Sequence, residues 1–425
     1  MHIRWKWLVV WGGLPLFLLG LLALMGGCLF LSLAVVLGEE GWGAGTGLVW
    51  FLFLVVALGG GGITLVHGLR SLSGIPSRPL RLPPIWGLGG SFFLALVVGI
   101  GVRSVDLCLP VGFPPLFVAA TFLPPLVAVA WMVDHRPGRL TGRRAAVAFV
   151  AGATVSVVLA LLLEVLLPSL VLALVWGLAD LVLPAIDGLL QALAGGDVAA
   201  ALTSPGFLFA MVQLAVIAPL VEEFVKPLVT LPLLGRLERP RDALLLGAVA
   251  GAGFAALENA VYAGFGLSVW AGILLVRAIG AAIHPLGAGL TAMGWHGLLR
   301  RRPGAGRRWL ERYGLAVGIH ALWNGGSLLV LTLSGANFFG SPPPEVDVLG
   351  VTAGGVLLAL LAVEGAAVWI GARALSRRLL PEEAAPSELA GRAVERAIAL
   401  WAFVCLLVLV PVGLAALRSA WWGGG

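Results

Sequence analysis

Four charged side chains and two histidines interrupt what is otherwise plain apolar helix, all within about 100 residues. Glu222, Glu223 and Lys226 stand in the run Ala218-Pro219-Leu220-Val221-Glu222-Glu223-Phe224-Val225-Lys226. Glu258 and Asn259 follow Phe254; His284 comes next; His320 and Asn324 close the series in His320-Ala321-Leu322-Trp323-Asn324. A charge at the centre of a bilayer costs about 2.5–3.5 kcal/mol on insertion scales, so four of them cost on the order of 10–14 kcal/mol if nothing compensates. Packing alone does not require that penalty, and intramembrane ionisable groups read first as a functional site. A carboxylate can take a proton from water, imidazoles can hold a metal or orient that water, and a side-chain amide can donate to an oxyanion.

Spacing sharpens the picture. Glu222 and Lys226 are four apart and share a helix face, while Glu223 points about 100° away. Pro219 and Pro227 flank them, each removing a backbone hydrogen bond, so a kinked or broken helix is expected around the carboxylates. Irregular backbone at membrane depth persists where it lines a cavity or is buried in protein. His320 and Asn324 are also four apart, which suits joint contact with one water, metal or carbonyl. Each group has a plainer reading alone. Glu222 and Lys226 can neutralise each other between helices, Glu258 can be a structural hydrogen-bond acceptor, and His284, followed by Pro285, can be a polar residue that stabilises the bundle. His296, near Arg300, reads as structural.

These residues need helices to hold them. The chain has 425 residues, 60% hydrophobic and 11% charged, with mean hydropathy +1.03. Recurrent apolar runs of 18 or more residues exclude a soluble domain and imply an all-α, polytopic transmembrane bundle. The net charge of +6 lies mostly in short arginine-rich loops, an orientation signal that argues against a nucleic-acid partner. Cys28, Cys108 and Cys405 are scattered, at neither metal nor redox spacing, and read as small apolar fillers. Lysine occurs twice, as Lys6 and Lys226, against 25 arginines, so Lys226 inside an apolar segment stands out. Apolar runs predict eleven spans, at Leu8 to Gly38 and at about 48–68, 84–103, 110–133, 145–167, 206–234, 242–262, 268–299, 314–334, 348–371 and 397–417. The alternation of arginine-rich and acidic loops predicts a cytoplasmic N-terminus and an outside C-terminus. Leu170–Gly195, which carries Asp180 and Asp187, is read as an outer interfacial or re-entrant helix, because one more span would invert every later loop.

At 1.5 Å per residue, Glu222 lies roughly 18 Å from the cytoplasmic end of its span, Glu258 roughly 24 Å, His284 roughly 22 Å and Asn324 roughly 15 Å. His320 comes out at only roughly 9 Å unless its helix starts earlier, near Trp309. These depths allow one site near mid-membrane. The motifs Glu-Glu-x-x-Lys, Phe-x-x-x-Glu-Asn, a later His and His-x-x-x-Asn, in that order, resemble those of the PrsW intramembrane proteases, within the wider group of CaaX prenyl endopeptidases and bacteriocin-processing proteins. The resemblance covers roughly residues 206–334. The CaaX enzymes typically end the second motif in His, where this chain has Glu258.

The resemblance implies an endopeptidase of the cell membrane acting on a membrane-anchored protein such as an anti-sigma factor. Residues 141–371 would form the protease core, 1–140 would add transmembrane helices of unknown role, and 372–425 a cytoplasmic linker with a last span. The expected catalytic set is Glu222, Glu223, Lys226, Glu258, His284, His320 and Asn324. Glu222 is the first choice for general base, with Glu223 as the substitute. Glu222, Glu258, His284 and His320 could hold zinc, since two His plus one Glu is a common catalytic zinc set; the histidines could equally orient a water without metal. Glu258 is either a ligand or the orienter of a histidine. A transporter or proton relay would also use such residues but predicts paired broken helices in two halves of the chain. A non-catalytic scaffold would tolerate loss of Glu222.

Overall fold

The computed structural model describes residues 54–103, 109–134, 140–174, 178–195, 198–234, 237–333 and 348–379, with a few scattered positions before them. The described residues form helices and no strand, apart from one isolated antiparallel bridge between Pro79 and Thr141. Apolar segments in lipid must satisfy their own backbone groups, and helices do this within the segment.

A π-helical turn at Val55–Gly60 leads into α1 (Gly61–Leu72), followed by α2 (Ile85–Arg103) and α3 (Leu109–Val133). Next, α4 (Gly142–Ala151) and α5 (Val157–Leu174) flank a π turn at Gly152–Ser156. Beyond α6 (Leu178–Gly195) and α7 (Val198–Thr203), α8 (Pro205–Val212) and α9 (Ala218–Val225) flank another π turn at Gln213–Ile217. A short α10 (Leu231–Leu234) precedes α11 (Pro240–Phe265). The series ends with α12 (Trp270–Ile279), α13 (Ile283–Leu299), α14 (Ala305–Leu333) and α15 (Val348–Arg378).

Seven helices among the described residues are long and apolar enough to cross a membrane, and α12 with α13, bent by 42°, makes up to eight. They correspond to eight of the eleven expected segments. Within the segment expected at 48–68, the described residues hold an apolar helix, Val55–Arg70. Of the first expected span only scattered helical positions between Leu14 and Leu24 are described, and the last expected span lies outside the described residues. Leu170–Gly195 divides between the end of α5 and a separate helix, α6, which packs on α8.

One boundary is corrected. The last helix of the site begins at Ala305, after a turn with positive φ at Arg301 and Gly304, and not near residue 314. Its first turns are charged, so apolar counting misses them; the Arg307–Glu311 pair, four apart at 2.7 Å, belongs to them. His320 is therefore roughly 22 Å from the start of its helix, in line with Glu258 and His284.

The centre of the bundle is α11, whose apolar window is 83% buried, against 22% for those of α14 and α15. Small residues let α13 lie directly on it. A Cβ on Gly251 would come 2.3 Å from the carbonyl oxygen of His284, and one on Gly247 2.6 Å from that of Ala288. This close contact carries the helix of Glu258 and the helix of His284 as one unit.

Candidate active site

The segment bearing the two glutamates is irregular for a local reason. Pro219 has no N–H to give to the carbonyl one turn back, and the helix widens into π geometry over Gln213–Ile217 just before it. Asn324 Nδ2 donates to Leu214 O, within that turn, at 2.9 Å. At the other end Pro227 follows the α9 terminus, and Ser156 Oγ donates to Lys226 O at 3.4 Å. The kinks expected at both prolines are present. Pro285 behaves differently: it lies in the first turn of α13, where a missing N–H is harmless, and the break falls at 280–282 instead. That break puts His284 at the N-terminus of α13, where the helix dipole favours nearby carboxylates.

Six of the seven expected residues converge. Lys226 Nζ lies 2.8 Å from Glu222 Oε2, 2.7 Å from Glu223 Oε1 and 2.7 Å from His284 Nδ1, fully buried. It also sits 4.5 Å above the Phe254 ring, which gives the phenylalanine of the second motif a role as a cation–π partner. His284 Nε2 lies 2.9 Å from Glu258 Oε2. The His284 and His320 rings meet edge to face at 4.7 Å. His320 Nδ1 is 3.0 Å from Glu223 Oε1, though not aligned as a hydrogen bond. Glu223 packs against Gly287, where a Cβ would come within 2.4 Å of its Oε2. Asn324, one turn beyond His320, is the seventh, and its side chain bonds the π-turn carbonyl of Leu214 and none of the six. Phe224, between Glu223 and Lys226, meets Trp295 and Tyr313 edge to face, and Tyr313 donates its hydroxyl to Leu220 O at 2.6 Å, tying α9 to α13 and α14. His296, expected to be structural, contacts Leu237 O at 2.8 Å.

Residues 142–360 match the PrsW family of intramembrane metalloproteases. The chain belongs to that family. No curated protein and no solved structure matches it. A PrsW-family chain is a peptidase, and this one is a multi-pass membrane protein whose helices imply a lipid bilayer around them.

The family's metal can be tested against the donors of this PrsW-family site. Glu222, His284 and His320, all buried, offer ligand atoms within 4.8 Å of one another. Glu222 Oε2 is 3.9 Å from His284 Nδ1 and 3.8 Å from His320 Nε2. Metal–ligand bonds of about 2.0–2.2 Å in a tetrahedron would place such atoms about 3.3–3.5 Å apart, so a small inward shift would close the set. Both ring nitrogens of His320 are buried without an aligned hydrogen-bond partner, while Glu222 Oε2 is ion-paired with Lys226 Nζ at 2.8 Å. These three residues therefore offer a metal its donors, with Lys226 Nζ having to leave His284 Nδ1, 2.7 Å away, for the set to close. Glu258 stands behind His284, against its far nitrogen, and is not part of the cluster.

A further carboxylate, Glu164, belongs to none of the sequence motifs. It interrupts the apolar run of α5 and interacts electrostatically with Lys226, Glu222 and Glu258. A single carboxylate inside an otherwise apolar span is the signal that marks it. In contact with the two cations stand three carboxylates: Glu222 and Glu223 on Lys226, and Glu258 on Arg277.

Proposed function

We propose that this protein hydrolyses a peptide bond of a membrane-anchored protein, of the anti-sigma-factor kind, with Glu222 as the general base. The observation that carries this is the buried triangle of Glu222, His284 and His320 at mid-span, whose ligand atoms lie within 4.8 Å of one another. A divalent metal such as zinc, held by these three residues, would supply Lewis-acid activation of water.

The chain's own groups divide the remaining work. Glu222 has two oxygens; one can face the metal while the other takes the proton of the attacking water. The water oxygen bonds to the scissile carbonyl carbon. The proton passes from Glu222 to the departing amine as the C–N bond breaks, leaving a carboxylic acid and an amine. Lys226 holds Glu222 and Glu223 in place and offsets their charge. Asn324 uses one amide hydrogen on Leu214 O and has a second for the oxyanion. Glu258 orients His284, and the tight fit of Glu223 against Gly287 keeps α9 and α13 in register.

The transport reading needs a second broken helix in the other half of the chain. The one bent pair among the described residues is Trp270–Ile279 with Ile283–Leu299.

Purified protein in lipid nanodiscs, assayed on co-reconstituted single-pass membrane proteins, tests the proposal. Glu222→Gln keeps the shape and removes the base. Cleavage should fall at least about 10³-fold with an unchanged melting temperature. Substantial cleavage by the folded variant would move the base to Glu223. We also propose eleven spans with the N-terminus inside and the C-terminus outside. Reporter fusions at Arg241 and Ser341 should read inside and outside respectively, and one common side would break that topology.

A further inference from the structure

We propose that Arg277 is a positioning residue for the reaction: acting through Glu258, its guanidinium fixes which nitrogen of His284 faces Glu222. The proposal rests on the reading that His284 works at the site.

Arg277 lies in the last turn of α12, across the 42° break from His284. Its guanidinium meets three groups of α11. Nη2 donates to Glu258 Oε2 at 2.7 Å, Nε donates to Asn259 Oδ1, and the cation lies 4.7 Å over the Tyr262 ring. Asn259 is itself oriented from outside, because its Nδ2 donates to Thr121 O on α3 at 3.1 Å. That bond turns the amide oxygen toward Arg277 and settles which end of the amide is which. The guanidinium fork is thus held at both prongs, and it holds Glu258 in turn.

Glu258 Oε2 then receives a second donor, His284 Nε2, at 2.9 Å. The other side of the imidazole agrees. Lys226 Nζ is a donor with no acceptor capacity, and it lies 2.7 Å from His284 Nδ1. Nδ1 must therefore present its lone pair, and the ring proton must sit on Nε2, where Glu258 accepts it. Nδ1, whose lone pair Lys226 occupies, is also the ring nitrogen that lies 3.9 Å from Glu222 Oε2. A carboxylate that holds a histidine by its far nitrogen sets both its tautomer and its ring angle, and loss of such a partner typically lowers metal affinity or activity 10–100-fold. Arg277 adds one link: without its fork, Glu258 can turn on its side-chain torsions and release the ring.

The competing explanation is that Arg277 only neutralises Glu258. Lysine separates the two, since it keeps the charge and loses the planar fork. Full-length Arg277→Lys, Arg277→Ala, Glu258→Gln and His284→Ala in nanodiscs would be compared by nitrogen-15 histidine NMR, cobalt(II) titration, cleavage kinetics and melting temperature. The wild type should show His284 protonated at Nε2. In Arg277→Lys that signal should shift toward a tautomer mixture. Its cobalt(II) affinity and kcat should fall about 10–100-fold, with KM and melting temperature unchanged. Guanidinium should partly restore Arg277→Ala. Arg277→Lys combined with Glu258→Gln should be no worse than Glu258→Gln alone. An unchanged His284 signal in Arg277→Lys, or wild-type kcat with wild-type cobalt affinity, overturns the proposal. Full activity in folded His284→Ala would overturn the underlying reading instead, and the NMR result would still decide whether Arg277 fixes the ring.

Discussion

Two clusters of charge are built into this bundle, and they are built differently. One lies where α3, α11 and α15 meet, at a helix end. Arg373 and Arg377 pair with Asp134 at 2.7 and 2.8 Å, and Arg373 also lies over the Trp131 ring. Arg241 donates to Ser376 O at 3.0 Å and to Val133 O at 3.2 Å, and Ser376 Oγ donates to Met132 O at 2.6 Å. The carbonyls at 132 and 133 end α3 and would otherwise lack partners. The other cluster lies mid-span, where Glu222, Glu223, Lys226, Glu258, His284 and His320 face mainly one another. There Glu222 Oε2, Glu223 Oε2 and both His320 nitrogens have no aligned hydrogen bond, against one such atom, Arg373 Nε, in the first cluster. A charge cluster that closes on backbone carbonyls is a clamp. One that leaves buried donor and acceptor atoms open is arranged for a ligand it does not itself contain.

The comparison can be broken at either cluster. The largest effect should come at the open one. His284→Ala and His320→Ala should each lower cleavage by about 10³-fold or more, and the double variant should be little worse than either, because groups serving one reacting centre do not lose activity additively. Chelation of the wild type should reproduce the double variant, with zinc restoring the wild type alone. Normal cleavage by a folded His320→Ala protein would make the open cluster another clamp. A smaller and opposite result is expected at the closed cluster. Asp134→Ala leaves Arg373 and Arg377 without their carboxylate and should lower stability by about 1–3 kcal/mol. The melting temperature should drop while specific activity of the folded fraction stays within about twofold of wild type. A loss of kcat at unchanged melting temperature would show that the two clusters are coupled.

Much of the site is legible in the order of the amino acids. An ionisable residue in an apolar span carries an energetic penalty that composition alone reveals, so Glu222, Glu223, Lys226, Glu258 and the histidines stand out by type. Prolines remove hydrogen bonds wherever they occur inside a helix, so the irregular backbone around the glutamates is predictable too. Apolar run lengths also locate the seven candidate spans among the described residues, and the bent pair beside them, because the hydrocarbon core sets how many residues a crossing helix needs.

Other features depend on contacts between distant segments. The start of α14 at Ala305 lies in charged turns that carry no apolar signal, and only that start brings His320 level with His284. Pro285 marks a helix beginning and not a defect, which depends on where α12 stops. Glu258 and His320 are 62 positions apart in the chain, and nothing local says that the first stands behind His284 while the second joins Glu222. The arrangement follows from glycines at 247, 251 and 287 that let α11, α13 and α9 approach closely. Sequence determined which residues could do chemistry in a membrane, because that follows from side-chain type and solvation. Tertiary structure decided which of them share one centre, because that follows from how closely the helices can pack.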